Sequence, residues 1–150
     1  MDSMKHGSDI EGQSAVFDPE RQGWQAISDD GFIGLVGPIW QKLDESSMRL
    51  AFLAEAKHRN RRGVVHGGMI MAFADRAMGM TARHANGQKP QATIQLDVHF
   101  VDAVQMGEFV EIQAGIVRRT RSLIFMKADI VVGSRVVATA NGIWKTLAGE

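Results

Sequence analysis

The 150-residue chain contains no cysteine, so disulfide bonds and thiolate chemistry are excluded within it. Any side-chain nucleophile must therefore be an oxygen or a nitrogen atom. The chain also lacks an excess of either charge, with 17 acidic and 17 basic residues. A balanced charge gives no electrostatic reason to expect nucleic acid or an anionic membrane as a partner.

Long apolar runs are missing as well. No window approaches the roughly 20 apolar residues that span a bilayer, and the opening stretch MDSMKHGSDIEGQS lacks the apolar segment of a secretory signal. The composition is that of an ordinary globular protein, with 45% apolar and 23% charged residues. We therefore expect a soluble, cytoplasmic protein with one domain, since this length suffices to bury a core.

The composition of the chain changes from polar to more apolar near Gly31. Residues 1–30 are polar, and we interpret them as an N-terminal arm. The arm is expected to be flexible or to form a short helix near residues 19–27, docked through Phe17 and Trp24. Residues 31–150 are predicted to form the single folded domain.

Strand patterns occur on both sides of one helical segment. The stretches FIGLVGPIWQKL and SMRLAFLAEA predict a strand pair or one bent strand across residues 35–57. After Pro90, ATIQLDVHFV alternates apolar and polar residues, and residues 108–118 do the same. Two apolar runs joined by Gly133-Ser134 predict a hairpin. This order predicts an α+β fold, with an antiparallel sheet of about five to six strands packed on one helix.

The helix is predicted over residues 66–85, because Asn86-Gly87 and Pro90 are signals that end helices. Its first half lies in the stretch NRRGVVHGGMIMAFAD, which runs from Asn60 to Asp75 and has a run of apolar residues before the aspartate. Both sides of the helix are apolar or small, which predicts burial nearly all round. Small residues at positions 68, 72, 79 and 82 would let a helix, a strand or a ligand approach closely.

A carboxylate in such a helix requires an explanation, because an unpaired buried charge is costly. Asp75 is either an ion-pair partner of an arginine, such as Arg76 or Arg83 of a neighbouring chain, or a catalytic group. Gly67 and Gly68 leave the first amides of the helix uncovered, where a carbonyl oxygen or an anion can bind. That feature favours the catalytic interpretation.

The distance between these groups predicts a dimer. Eight residues separate Gly67 from Asp75, which is roughly 12 Å along a helix. A base and an oxyanion-stabilising amide must both lie next to the same reacting carbon. One helix cannot supply both, whereas two antiparallel copies across a two-fold axis can.

The His-Gly-Gly…Asp spacing in HGGMIMAFAD, after NRRGVV and before ATIQLDVHFV, resembles the hotdog-fold acyl-CoA thioesterases of the phenylacetate-degradation (PaaI-like) type. The resemblance runs from about Gly31 to Leu147. It implies a curved antiparallel sheet wrapped around one long central helix, and a dimer or dimer of dimers with active sites at the interface. It also implies hydrolysis of an acyl-CoA substrate to a free acid and CoA, without a cofactor or a metal.

The resemblance assigns roles to five residues at matching positions. Asp75 corresponds to the catalytic carboxylate, acting as general base on water or as nucleophile. Gly67 supplies the backbone N–H that polarises the thioester carbonyl, and Asn60 helps to hold that carbonyl or the attacking water. His66 shapes the carbonyl site, and Thr93 positions water near the carboxylate.

Three further residues, Gly68, Arg119 and Arg121, are assigned by resemblance to binding of the CoA moiety. Each assignment has a simpler alternative. The arginine cluster is also what a solvated turn contains, His66 is also a helix cap, and Asn60 is also a turn former.

Two rival functions stay open at this point. The first is a non-catalytic acyl-CoA-binding or sensing protein, since a fold alone does not fix activity. The second is a hotdog-fold dehydratase or hydratase, which requires a catalytic histidine working with an acid. No metal is expected, because His58, His84 and His99 show no ligand spacing with one another or with carboxylates.

Overall fold

The computed structural model describes residues 16–148. In this part of the chain, eight strands form a single antiparallel sheet and the longest helix packs on it. The helices are α1 (Gly31–Val36) and α2 (Gly67–Ala85), with 3-10 helices at Glu20–Gln22 and Ala56–His58. The strands are β1 (Gln25–Ile27), β2 (Ile39–Leu43), β3 (Met48–Leu53), β4 (Gln91–Phe100), β5 (Phe109–Ile112), β6 (Gly115–Arg119), β7 (Leu123–Val132) and β8 (Arg135–Thr146).

The predicted α+β fold, with a curved antiparallel sheet around one long helix, is confirmed. The sheet order is β1-β2-β3-β5-β7-β8-β4, with β6 paired to β7. The eight described strands exceed the five to six expected for two reasons. The alternating stretch 108–118 divides into β5 and β6, and β1 is only three residues long, too short to leave a periodic pattern.

The strand pair predicted across residues 35–57 is present as β2 and β3, and the hairpin at Gly133-Ser134 joins β7 to β8. Gly133 has a φ of 59°, a left-handed conformation that glycine adopts without a steric penalty. Gly31–Val36, which precedes the pair, is helical.

The C-terminal end of the segment before Gly31 is part of the sheet. β1 pairs with β2, and Trp24 just before it is buried. The rings of Phe17 and Trp24 lie 4.6 and 5.1 Å from that of Phe109, centroid to centroid. In place of the short helix expected near residues 19–27, a 3-10 turn is followed by a strand. Residues 1–15 lie outside the described residues, and the boundary between arm and domain stays a prediction.

α2 is buried on one face and open on the other. It packs against β3, β4, β7 and β8 through seven buried side chains: Met69, Ile70, Phe73, Ala74, Ala77, Met78 and Ala82. The opposite face carries Asp75, which is exposed in the single chain, as are Gly68 and Met71. The prediction that the helix is buried nearly all round is therefore wrong for one chain, since small and apolar residues also line a surface that is left open.

We expect Phe73→Ala to lower the free energy of unfolding by about 3–5 kcal/mol, because the ring is fully buried and its loss leaves a cavity. His84→Ala, an exposed position on the same helix, is the control and should change it by less than about 0.5 kcal/mol. Urea unfolding measures both variants. Equal effects would contradict the burial pattern of α2.

Candidate active site

The first turn of α2 leaves one backbone amide free. The His66 side chain caps the helix, with Nδ1 accepting from the Gly68 N–H at 2.7 Å. Among residues 16–148, no hydrogen bond uses the Gly67 N–H. The expectation of two uncovered amides therefore holds for Gly67 and not for Gly68. A single donor at the positive end of the helix dipole is available to a carbonyl oxygen.

A buried histidine fixes the chain where it enters this helix. The His58 carbonyl accepts from the His66 N–H at 2.7 Å, and the His58 ring is 3% exposed. Its Nδ1 accepts from the Glu55 N–H at 3.0 Å, so Nε2 carries the proton and donates to the Val36 carbonyl at 2.5 Å. Both ring nitrogens are thus committed, and α1 is tied to the start of α2.

Asn60 shapes the loop before the helix. Its side-chain oxygen accepts from the N–H groups of Arg62 and Val64, at 2.9 and 3.2 Å. The oxygen thus serves the turn, which was the simpler alternative, and the side-chain N–H groups are left for other contacts. Whether they hold a substrate carbonyl stays a prediction.

Asn60 and Gly67 share a cavity of about 470 Å³, which we call the Asn60 cavity. A Cβ on Gly67 would lie 3.2 Å from Cζ of Phe100, so this ring covers one side of the glycine. Asp102 also lines the cavity, and the hydrogen bond from the Arg135 guanidinium is the main reason that its pKa is lowered. The lining residues are Asn60, Arg62, Val64, Val65, Gly67, Ile70, Phe100, Val101, Asp102, Ala103, Val104 and Val137.

Asp75 and Thr93 come together although they lie on different elements. The Thr93 hydroxyl on β4 donates to Oδ1 of Asp75 at 2.7 Å. None of the ion pairs within residues 16–148 includes Asp75, and Arg76 instead pairs with Asp29 at 2.7 Å. Within the described chain, Asp75 is therefore an open carboxylate oriented by one hydroxyl and not the partner of an arginine.

Asp75 and Thr93 border a second cavity of about 390 Å³, the Asp75 cleft. It is lined by Asp75, Arg76, Gly79, Met80, Arg83, Pro90, Gln91, Thr93 and Trp144. The Asn60 cavity and the Asp75 cleft share no lining residue. The Asp75 carboxylate and the free Gly67 amide thus border different cavities of one chain, because eight residues of helix separate them.

The two arginines assigned to CoA lie elsewhere. Arg119 ends β6 and Arg121 follows in the turn to β7, and both are exposed. Neither lines the Asn60 cavity or the Asp75 cleft. Pairing across β7 and β8 places Arg119 in the same row as Thr93, through Ile124 and Trp144. Three strand spacings of about 4.8 Å separate the two ends of this row.

The sequence interpretation missed the floor of the Asp75 cleft. Trp144 is the Cα partner of Thr93 in the β4–β8 ladder, so its indole lies beside the threonine. A Cβ on Gly79 would lie 3.2 Å from Nε1 of Trp144, and Gln91 donates to the Gly79 carbonyl at 2.7 Å. Gly79 is one of the small residues predicted to allow a close approach, and these two side chains lie beside it. No local pattern predicts that contact, because it depends on the register of β8.

In the described range, no three side chains of His, Asp or Glu gather as metal ligands. The expectation of a metal-free site stays a prediction. None of the helices between residues 16 and 148 combines the length and the apolar composition that crossing a bilayer requires.

Comparisons with known proteins bear out the resemblance seen in the sequence. A family model described as "Thioesterase superfamily" matches residues 62–139. The chain is 26% identical over 114 residues to a "Putative esterase" of Pseudomonas aeruginosa, covering 75% of this chain and 85% of that protein. It is 24% identical over 76 residues to acyl-coenzyme A thioesterase 13 of Mus musculus, covering 51% of this chain and 54% of the mouse protein.

Similarity to solved structures supports the same fold. A mutant of the phenylacetic acid degradation protein PaaI from Thermus thermophilus superposes with a TM-score of 0.70 at 23% identity. The match covers 79% of this chain and 100% of that chain. The hotdog arrangement expected from the sequence is therefore present.

We expect His66→Ala to lower the free energy of unfolding by about 1 kcal/mol, because the Gly68 N–H loses its cap. His66→Asn should restore most of that loss, since an asparagine oxygen accepts the same bond. Urea unfolding of both variants measures the difference. If His66→Asn is as unstable as His66→Ala, the cap is not the reason that His66 stabilises the protein.

Proposed function

Because the chain belongs to the thioesterase superfamily, we propose that it is an acyl-CoA thioesterase that hydrolyses its substrate to a free acid and CoA. The observation that carries this proposal is the Asp75 carboxylate, held by Thr93 at the rim of an open cleft. A relative named as an acyl-CoA thioesterase supports the substrate class.

The chemistry follows from the groups available. The thioester carbonyl oxygen accepts from the Gly67 N–H, where the helix dipole stabilises the charge that develops on it. Asp75 removes a proton from water, and the resulting hydroxide adds to the carbonyl carbon. The C–S bond then breaks, and CoA leaves as a thiolate that takes up a proton. In the alternative, Asp75 attacks the carbon directly, the C–S bond breaks with loss of CoA thiolate, and water then hydrolyses the mixed anhydride to the free acid and the Asp75 carboxylate.

The edge of the sheet supports a site shared by two copies. Among the described residues, β4 pairs only with β8, so its other edge has unpaired N–H and C=O groups along ten residues. The large side chains Ile94 and Phe100 on this strand are each 55% exposed. A long edge strand with exposed apolar side chains is a surface for pairing with another chain. A homodimer paired through β4 is the simplest assembly that covers it.

Antiparallel pairing also brings the two half-sites together. Thr93, near the start of β4, contacts Asp75, whereas Phe100, at its end, covers Gly67. In an antiparallel pair, the start of one strand lies opposite the end of the other. The Asp75 cleft of one copy then faces the Asn60 cavity of its partner, and the thioester binds between them.

Within one chain, the dehydratase or hydratase alternative lacks the pair of side chains that it requires. That chemistry requires a histidine that works with an acid. The His66 ring caps the helix through Nδ1, and no hydrogen bond or ion pair within residues 16–148 joins it to a carboxylate. A measurement of turnover tests the sensing alternative, because a sensing protein would bind acyl-CoA without hydrolysing it.

We expect Asp75→Asn to lower kcat for acyl-CoA hydrolysis by about 10²–10⁴-fold, since an amide cannot act as a base. Release of CoA thiol from a panel of aryl and alkyl acyl-CoAs measures the change and identifies the acyl class. Asp129→Asn, an exposed carboxylate on β7, is the matched control and should keep full activity. Near-normal rates from Asp75→Asn would refute the assignment. No release by the unaltered protein, with acyl-CoA binding retained, would establish the sensing function.

Mixing two inactive variants tests whether the site is shared. We expect Asp75→Asn and Asn60→Ala, each weakly active alone, to regain about a quarter of the normal rate when subunits are exchanged at equal amounts, because half of the dimers then contain one intact site. Thiol release after exchange measures the recovery, and Asp75→Asn exchanged with itself is the control. No recovery, despite proven subunit exchange, would mean that each site lies within one chain.

A further inference from the structure

The floor of the Asp75 cleft has a hydrogen-bond donor with no protein acceptor. Trp144 is 1% exposed, yet it lines the cleft. No hydrogen bond within residues 16–148 uses its indole N–H, and indole nitrogen can only donate. The nitrogen itself is not one of the buried atoms that lack a partner in this part of the chain, so it is open to the cleft, where an acceptor of a ligand can reach it.

A second donor lies beside it. Gln91 donates one hydrogen of Nε2 to the Gly79 carbonyl at 2.7 Å, which leaves its other hydrogen unused among the described residues. A Cβ on Gly79 would lie 3.2 Å from Nε1 of Trp144 and 3.6 Å from Nε2 of Gln91. Because glycine has no Cβ, the space above its Cα is bordered by both donors.

Both donors are held in place by the fold. The side-chain oxygen of Gln91 accepts from Nδ2 of Asn86 at 3.1 Å, and Asn86 is 4% exposed at the end of α2. Trp144 is fixed by its strand pairing with Thr93. A pair of donors that is already oriented recognises an acceptor without paying for reorganisation.

We propose that Trp144 and Gln91 bind an oxygen atom of the substrate at Gly79, one helical turn beyond Asp75. The proposal rests on the proposed function, because it places the reacting carbonyl at Asp75. Gly79 is four residues on, about 6 Å along the helix. An unsubstituted hydrocarbon at this place would leave both donors unpaired, which favours a ligand with an acceptor.

Two parts of an acyl-CoA can supply that oxygen. One is a hydroxyl, oxo or carboxyl oxygen on the acyl group, and the other is the first amide carbonyl of the pantetheine arm. Their shared chemistry is a hydrogen-bond acceptor a few bonds from the thioester carbon. The two sources differ in whether free CoA contains the acceptor.

Binding to the Asp75→Asn protein tests the proposal, with Trp144→Phe added to remove the donor. The probes are 6-hydroxyhexanoyl-CoA, hexanoyl-CoA and free CoA, and calorimetry measures each Kd. We expect Trp144→Phe to raise Kd about tenfold, the size of one hydrogen bond. A loss confined to 6-hydroxyhexanoyl-CoA identifies an acyl oxygen. An equal loss for all three probes identifies the pantetheine carbonyl.

Two further variants separate binding from folding. Gly79→Ala fills the space between the donors but keeps both, and alanine favours a helix, so the protein should fold and show the same losses as Trp144→Phe. Trp24→Phe makes the same chemical change at a buried tryptophan that packs on Phe109, outside the cleft, and should leave every Kd unchanged.

The proposal is overturned if no Kd changes, if no probe binds, or if Gly79→Ala has no effect where Trp144→Phe does. A failure of the proposed function has a different signature. The single variant Asp75→Asn would then retain turnover, whatever effect Trp144→Phe has on the Kd of each probe.

Discussion

The burial of one face of α2 in the sheet is the interaction on which the site depends. Phe73, Ala77 and Met78 are fully buried on this face, so the rotation of the helix about its axis is fixed. The opposite face is then directed outward, with Asp75 at its centre. The edge strand β4 passes beside that face and supplies the hydroxyl of Thr93, and β8 supplies the indole of Trp144.

Helix length is the second constraint on the chemistry. The free amide of Gly67 and the carboxylate of Asp75 lie about 12 Å apart along the axis, and in one chain they open into different cavities. The unpaired edge of β4 runs past both, because Thr93 and Phe100 contact the two ends of the site. In a single chain the site is incomplete and one edge of the sheet is open. The proposed pairing of two copies through β4 would complete the site and cover that edge.

Local sequence patterns predicted the structural features that depend on residues close together in the chain. The bounds of α2 and the β7–β8 turn follow from caps and glycine conformation, and the structure confirms them to within one residue. The alternation predicted for β4 holds from Leu96 onward. It fails at the start of the strand, because a bulge between Thr93 and Gln95 shifts the register and places Thr93 on the helix side. The sequence could not show that His66 occupies the Gly68 amide, since a side-chain rotamer decides it. It could not show Trp144 beside Thr93 either, because that pairing needs the register of two strands whose paired residues lie 51 positions apart. Burial of α2 was overestimated, since small residues give the same pattern at a core and at an open surface.

A crystal structure of the Asp75→Asn protein with a bound acyl-CoA tests the central claim most directly. The account predicts a dimer paired through β4, with the thioester carbonyl oxygen within hydrogen-bonding distance of the Gly67 N–H of one copy. The carbonyl carbon should lie next to residue 75 of its partner. A thioester bound to the amide and the position-75 side chain of the same chain, or bound away from both, would contradict it.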